Sequence, residues 1–251
     1  DFRNKINDKT VMVCMGMSSN ALGTLNDFIS VKSFLPQNCL FLLDAVHYAP
    51  HFSINVKELG CDFLLCSAYK FYGPHVGFLY SKPGLLEELE TDRLVVQDQK
   101  APYIIETGTL NHAACAGVSA AIDFIANIGE GNSSRDKLIN AFSKISSHEF
   151  ALAKQLYESI NNLDKVNVVG KDFSDTKRTP TVSFVHSDCT PQEVCKALAS
   201  ENICAWDGHF YALKAIQQLG LEERGGVTRL GISIYNTKEE VERVVSVISK
   251  L

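Results

Sequence analysis

The chain has 251 residues, enough to bury a sizeable core in one large domain or two modest ones. Its 45% apolar and 21% charged residues give an ordinary globular composition. The net charge of −5 offers no basic footprint for nucleic acid or an anionic membrane, and no apolar run reaches the roughly 20 residues of a spanning helix. We therefore expect neither nucleic acid nor a membrane as a partner.

The eight cysteines include no CxxC pair, and most of them lie inside apolar runs. Free cysteine in such runs behaves as a small buried hydrophobe. Reduced core thiols are typical of proteins that remain in a reducing compartment. The polar N-terminus is not a signal peptide, so we expect a cytoplasmic protein.

In the first half of the chain, short apolar runs alternate with amphipathic stretches. Strands are predicted at 11–15, 39–43, 63–66 and 75–80, and helices at 25–34, 56–59 and 83–89. Strands that alternate with helices indicate a parallel or mixed sheet covered on both faces.

Two long helices, 113–128 and 137–160, are predicted next, and the turn-forming segment 129–134 between them is the best candidate for a domain boundary. The remaining pattern is that of a compact α+β unit. Its predicted strands are 166–169, 181–185, 203–206 and 229–234, and its predicted helices are 191–201, 211–219 and 238–250.

Asp44 and Lys70 are the candidate chemical pair of the first half. Asp44 ends a predicted strand, at the carboxyl end where open α/β sheets bind their ligands. Lys70 lies between another predicted strand and a Gly-Pro turn, and the turn holds it at the edge of the sheet. Pyridoxal 5′-phosphate (PLP) chemistry needs a lysine for the cofactor aldehyde and a carboxylate that keeps the pyridine nitrogen protonated. The same two residues also fit an ordinary solvated surface.

Six short segments resemble words of the cysteine desulfurase family and occur in the family's order. They are SNALGT at 19–24, LDAVH at 43–47, SAYKFYGP at 67–74, GFLY at 77–80, ETGTLN at 106–111 and RLGISIYNT at 229–237. By these segments, which extend over nearly the whole chain, it resembles the cysteine desulfurase-like branch of the class V aminotransferases, which are fold-type-I PLP enzymes.

The resemblance implies an α/β fold of the fold-type-I PLP-dependent transferases. It implies a partial large domain with a mainly parallel sheet at 1–130, and a small α+β C-terminal domain at 131–251. Family members have a long portion before the first of these segments, so we expect an N-terminally truncated chain.

The resemblance also implies the residues that bind the cofactor ring. Lys70 would carry PLP as a Schiff base, and Asp44 would pair with the pyridine nitrogen. His47, which stands where the family usually has Gln, would approach the phenolic oxygen, as would Asn20. From the residues alone, Asn20 could instead cap the following helix.

Three further residues are implied at the cofactor phosphate. Ser67 and Tyr69 would contact the phosphate in the same subunit. Thr109 would reach the phosphate of the neighbouring subunit's cofactor, which makes a homodimer the expected state. Thr109 could equally belong to a simple turn.

Two residues are implied at the substrate, a small amino acid. Arg229 would grip its α-carboxylate with a bidentate fork, although a surface ion pair is the alternative. The loop that contains His209 would cover the cofactor and contact the substrate. It could also be a strand-to-helix turn capped by Asp207.

Segment 202–213 departs from the family at the position of the sulfur-carrying cysteine, which is occupied by Tyr211. Cys204 lies earlier, on a predicted buried strand, where we expect packing to fix its side chain. Trp206 replaces the arginine of the same family word. We therefore expect weak or absent desulfurase activity and leave the reaction open between a lyase and a transaminase.

Two other function classes remain as alternatives. The chain could be a catalytically inactive fragment or paralogue that serves as a binding or dimerisation subunit. It could also be a zinc-dependent hydrolase that uses His47 and His51. These two histidines lie around Pro50, so no single helix holds them on one face, and zinc would need a further ligand. We therefore expect no metal.

Overall fold

The computed structural model describes residues 2–174 and 177–251. The chain forms two compact units. The first contains the residues up to Met17 and Asp27–Phe142, and the second contains Ser18–Asn26 and Ser143–Leu251. The later division between the units lies inside a long helix. The assignment of 1–130 and 131–251 to a large and a small domain stays a prediction.

The first unit is built on a four-stranded sheet in which β1, β2 and β3 run parallel and β4 is an antiparallel edge. Its strands are β1 Met12–Gly16, β2 Leu40–Asp44, β3 Phe63–Ser67 and β4 Gly77–Ser81. Its helices are α1 Phe28–Lys32, α2 Val56–Leu59 and α3 His112–Ile128, and a 3₁₀ helix spans Ala68–Phe71. Phe41 and Leu43 of β2 are almost fully buried, as expected for a central parallel strand.

The second unit is built on an antiparallel sheet in the order β5-β6-β8-β7. Its strands are β5 Val166–Val169, β6 Thr181–His186, β7 Trp206–Gly208 and β8 Val227–Gly231. Its helices are α5 Pro191–Ser200, α6 Leu213–Gln218 and α7 Lys238–Ile248, and α4 Ser134–Asn161 contributes its later part. Thr190 with Glu193, and Thr237 with Glu240, form capping boxes that start α5 and α7.

The core of the second unit lies between its sheet and helices α4, α5 and α7. The large buried side chains of this core include Leu156, Ile160, Val182, Phe184, Val194, Leu198, Val241 and Ile248. Every residue of β6 is buried, so this strand anchors the unit. No helix among 2–174 and 177–251 is long and apolar enough to cross a bilayer.

Two predicted elements are wrong. Residues 83–89 form turns and a bend instead of a helix, because Gly84 adopts a left-handed φ of 91°, which interrupts the helical geometry. The strand predicted at 203–206 begins only at Trp206 and runs to Gly208. Cys204 is therefore in an irregular, exposed segment, and the expectation that it is packed into a buried strand is wrong.

Candidate functional site

The carboxyl ends of β2 and β3 bring the predicted cofactor residues of the first unit to one edge of its sheet. Asp44 is the last residue of β2, and it lies opposite Leu65 of the parallel neighbour β3. Ser67 ends β3, and Lys70 follows in the 3₁₀ helix. Because parallel neighbours end at the same edge, Asp44, Ser67 and Lys70 face a common region.

A tight turn fixes the backbone around Lys70. The Ala68 N–H donates to the Val76 carbonyl and the Gly73 N–H donates to the Ala68 carbonyl, both at 2.9 Å. Tyr72 ends the 3₁₀ helix in the left-handed region, at φ 70°. A Cβ on Gly73 would lie 3.0 Å from both the Cβ and the carbonyl oxygen of Ala68, so a larger residue would force Ala68 to shift by a few tenths of an ångström. Lys70 is half-buried and does not lie on a freely solvated helix face.

An aromatic pair flanks Lys70. The Tyr69 ring stacks on the His75 imidazole, with centroids 4.7 Å apart and planes 7° apart. The Lys70 Nζ lies 5.9 Å from the Tyr69 ring centroid. His75 was missed in the sequence. The tight Gly-Pro turn that brings His75 back beside Tyr69 is the signal that could have indicated it.

The Asp44 carboxylate is held at the end of its strand. Its Oδ1 accepts a hydrogen bond from the Val46 N–H at 2.8 Å, and the side chain is exposed. Burial raises the pKa of the neighbouring Cys66 thiol to about 12, and the negative charge of Asp44 adds to this shift. The charge of Asp44, at the edge of the sheet, therefore disfavours the thiolate form of Cys66 in β3.

His47 and His51 lie in the turns that follow β2. Their rings meet edge to face, with centroids 5.8 Å apart. Across the described residues, no group of three or more His, Cys, Asp or Glu side chains has a geometry that could hold a metal ion.

In the second unit, Asn20, Phe210 and Arg229 form a connected cluster. Arg229 lies on β8 and its Nη1 donates to the backbone carbonyl of Asn20 at 2.7 Å. The Asn20 Nδ2 donates to the Phe210 carbonyl at 2.7 Å. The Arg229 Cζ lies 4.0 Å above the centroid of the Phe210 ring. Burial lowers the pKa of Arg229 from its ordinary value.

The turn at 208–211 carries Phe210 and the predicted substrate residue His209. Phe210 and Tyr211 both adopt left-handed backbone angles, with φ 52° and 60°. The Tyr211 N–H donates to His209 Nδ1 at 3.1 Å, and the Tyr211 side chain is 99% exposed. Phe210 was also missed in the sequence, since an aromatic residue next to a helix start carries no signal of a contact with a distant strand.

Thr109 is the last of the predicted site residues, and Cys204 is the cysteine nearest in sequence to Tyr211. Thr109 is exposed in the irregular segment that precedes α3. Cys204 is exposed and lines a surface cavity of about 380 Å³ in the second unit, together with Tyr235 and Arg243. The roles of all the predicted site residues stay predictions.

Comparison with known proteins identifies the family to which the chain belongs. The family model of the class-V aminotransferases matches residues 1–244. The chain is 30% identical over 263 residues to a probable cysteine desulfurase of Halalkalibacterium halodurans, covering 100% of this chain and 60% of that protein. It is also 30% identical to an aminotransferase-like protein of Gibberella zeae, covering 97% of this chain and 60% of that protein. The chain thus spans about 60% of the length of these curated relatives.

Solved structures show the same relationship. A cysteine desulfurase from Thermococcus onnurineus NA1 matches with a TM-score of 0.81 at 26% identity, covering 96% of this chain and 59% of that one. A cysteine desulfurase from Escherichia coli matches with a TM-score of 0.82 at 24% identity, covering 99% of this chain and 60% of that one. The predicted α/β fold of the PLP-dependent transferases is confirmed.

Proposed function

The chain belongs to the class-V aminotransferase family, and we propose that it supplies the cofactor lysine and the substrate arginine of a PLP-dependent enzyme acting on a small amino acid. One observation carries the proposal. Asp44 and the segment that holds Lys70 leave the sheet at the carboxyl ends of two adjacent parallel strands. Ligands of open α/β sheets bind at this edge.

The residues at this edge fit PLP by their chemistry. An amine suits the cofactor aldehyde, a carboxylate suits the pyridinium nitrogen and the Ser67 hydroxyl suits a phosphate oxygen. PLP, when bound, supplies an electron sink for the bonds around the substrate Cα.

Lys70 has two tasks in this proposal. Its Nζ would hold the cofactor through its aldehyde, and the free amine would move a proton at the substrate Cα. Both tasks need a neutral amine. The hydrogen-bonded turn around Ala68 and Gly73 keeps the backbone of Lys70 at the strand end. This limits the positions that the amine can occupy.

Asp44 would pair with the ring nitrogen of the cofactor and keep it protonated. The hydrogen bond from the Val46 N–H fixes the direction of the carboxylate at the strand end. A neutral amide at this position could not stabilise a pyridinium in the same way.

Arg229 binds the substrate carboxylate. Its Nη1 donates a hydrogen bond to the Asn20 carbonyl, and its guanidinium lies over the ring of Phe210. A planar, prepositioned fork suits the bidentate recognition of a carboxylate.

The other implied contacts are part of the same proposal. They are His47 and Asn20 at the phenolic oxygen, Ser67 and Tyr69 at the phosphate, Thr109 at the partner subunit's cofactor, and His209 at the substrate. The Asn20 Nδ2 has two N–H donors and uses one of them for the Phe210 carbonyl.

We further propose a homodimer, because Thr109 is assigned to a neighbouring subunit's cofactor. The exposure of Thr109 is compatible with this assignment. Sedimentation of the intact, active protein tests it, and a strictly monomeric active enzyme would contradict it.

The reaction that we favour is lyase or transaminase turnover. Tyr211, at the family's cysteine position, offers only a phenol, which cannot carry sulfur. Desulfuration is a second candidate, because Cys204 is exposed and so is accessible to a substrate.

The test of the proposal is reductive trapping. The intact protein is loaded with PLP, reduced with borohydride and mapped by peptide mass spectrometry. We expect the cofactor on Lys70 and none in the variant Lys70→Ala. A label on another lysine would overturn the assignment. Failure to bind PLP at all would favour the inactive binding or dimerisation subunit.

A further inference from the structure

We propose that Phe210 is a positioning residue for Arg229, and that it sets the affinity of the site for the substrate carboxylate. The inference rests on the proposed function, in which Arg229 binds that carboxylate. It adds a residue that the family resemblance did not indicate.

The Arg229 guanidinium lies over the face of the Phe210 ring. The Arg229 Cζ lies 4.0 Å above the Phe210 ring centroid, well within the range in which a guanidinium is attracted by an aromatic face. Arg229 is partly buried, and desolvation strengthens this attraction. The ring therefore restrains the position of the guanidinium together with the hydrogen bond to the Asn20 carbonyl.

The backbone holds Phe210 in this place. Left-handed angles at Phe210 and Tyr211 are unfavourable for residues with a side chain, so the surrounding structure must maintain them. The Asn20 amide, which donates to the Phe210 carbonyl at 2.7 Å, and His209 Nδ1, which accepts from the Tyr211 N–H, both stabilise the turn. Asn20 thus contacts Phe210 with its side chain and Arg229 with its backbone.

These contacts among Asn20, Phe210 and Arg229 limit the directions from which a ligand can approach Arg229. The ring occupies one side of the guanidinium, so a carboxylate must approach from the sides that remain open, where bidentate hydrogen bonds can form. The ring also excludes water from that face, which strengthens a charge-assisted hydrogen bond. Phe210 should therefore affect the binding of ligands that have a carboxylate and leave other ligands unaffected.

The experiment compares two ligands that differ in one group. L-Alanine has the carboxylate, and ethylamine is the same molecule without it. Both are titrated into the intact, PLP-loaded protein and followed by the cofactor absorbance. The variants are Phe210→Leu, which removes the aromatic face, Phe210→Tyr, which keeps it, and Arg229→Gln, which removes the fork. Side-chain ¹⁵N NMR of arginine supplies a readout independent of the cofactor, because the ring current of Phe210 displaces the Arg229 Nε–H resonance.

We expect Phe210→Leu to weaken the binding of L-alanine about fivefold, the scale of a partly desolvated cation–π contact. The binding of ethylamine should not change, and the displaced resonance should return to the usual arginine region. Phe210→Tyr should restore the affinity and the displaced resonance together.

Three results would overturn the inference. The first is that Phe210→Leu binds L-alanine as the wild type does, while Arg229→Gln does not; the proposed function then stands without this role for Phe210. The second is that Phe210→Leu weakens both ligands equally, which indicates a general structural role. The third is that Arg229→Gln binds L-alanine normally, and in this case the assignment of Arg229 itself fails.

Discussion

Arg229 donates a hydrogen bond to the backbone carbonyl of Asn20 at 2.7 Å, although the two residues are 209 positions apart in sequence. Each residue belongs to one of the short segments by which the chain resembles its family, one near the beginning and one near the end. The two segments form one cluster because Ser18–Asn26 packs as part of the second unit, although β1 before it and α1 after it belong to the first. The proposed substrate contact and its support thus come from opposite ends of the chain.

Asp44→Asn should impair catalysis far more than folding. Asparagine retains an Oδ1 that can accept from the Val46 N–H, so the turn after β2 should persist and stability should change by less than about 1 kcal/mol. The loss of the negative charge should lower kcat by on the order of 100-fold, the scale of removing one preorganised electrostatic contact. Urea unfolding and steady-state kinetics of the same preparation measure both effects. Turnover at the wild-type rate would make Asp44 a structural residue.

Gly226→Ala should destabilise the second unit. A Cβ at this position would lie 2.2 Å from the carbonyl oxygen of Gly208, and the backbone has a left-handed φ of 96°. We expect a loss of about 2 kcal/mol or more in the free energy of unfolding. Gly231→Ala is the matched control, because a Cβ there meets nothing within 4 Å and should cost less than about 0.5 kcal/mol. Equal midpoints of unfolding for the two variants would contradict this prediction.

The sequence predicts the elements that local chemistry determines. The strands that end at Asp44 and Ser67 follow from their apolar runs and are observed within a residue or two of the predicted limits. Helix α5 is likewise predicted from its start at Pro191. The placement of Asp44 and of the segment with Lys70 at one edge of the sheet could be inferred because parallel strands end at the same edge.

The remaining features depend on contacts that no local pattern encodes. Cys204 was expected on a strand because its neighbours are apolar, but backbone pairing with β8 begins only at Trp206. The apolar run then packs through Ile203 and Ala205 against the core of the second unit and leaves the thiol exposed. The contact of Phe210 with Arg229 depends on two left-handed residues and could not be predicted from periodicity.

The thiols should react with an alkylating reagent according to their environments. Cys204, Cys14 and Cys115 are exposed, whereas Cys66 is buried and its pKa is raised to about 12. Because the thiolate is the reactive form, iodoacetamide at pH 8 should label the exposed group and leave Cys66 unmodified in the folded protein. Peptide mass spectrometry after short exposure measures the order, and labelling in urea is the control that all sites can react. Early modification of Cys66 in the folded protein would disprove the assigned burial.

The stability of the second unit should depend on the protonation of His186. The Nδ1 atom of this buried side chain accepts from the N–H groups of Asp188 and Cys189, both at 3.2 Å, so the neutral form is required. Burial lowers the pKa of His186 below its ordinary value of 6.5; the positive charges of Lys165 and Arg224 add to the shift, and Asp188 opposes it.

A lowered pKa in the folded state means that the unfolded chain binds the proton more tightly. The contribution of His186 to stability is therefore complete above about pH 6.5 and decreases as the pH falls from there through the folded-state pKa. Urea unfolding between pH 5 and 8 should show this loss in the wild type and a smaller pH dependence in His186→Gln. His112→Gln, which replaces an exposed histidine, should retain the wild-type profile. A wild-type profile in His186→Gln would exclude this role.

The fate of sulfur distinguishes the two candidate reactions. A desulfurase needs a thiolate that attacks the substrate sulfur, and the family's position for that thiol is occupied by Tyr211, whose side chain is 99% exposed at the tip of the 208–211 turn. We expect the intact, PLP-loaded protein to release little sulfide from L-cysteine in the presence of a reductant. Tyr211→Cys should increase the release, because it places a thiol on the exposed turn. Tyr211→Ser is the matched control, since it removes the phenol without adding a thiol, and it should release no more sulfide than the wild type.

Cys204 supplies the competing explanation, because it is exposed on the segment that leads into β7. Robust release by the wild type that disappears in Cys204→Ser would show that Cys204 carries the sulfur, and the prediction would be wrong. Release that survives in Cys204→Ser, with pyruvate and ammonia formed in place of alanine, would instead indicate β-elimination at the substrate, which needs no protein thiol. Since elimination yields sulfide and pyruvate together while desulfuration yields alanine, measuring all the products of the same reaction separates the two chemistries even when their rates of sulfide release are equal.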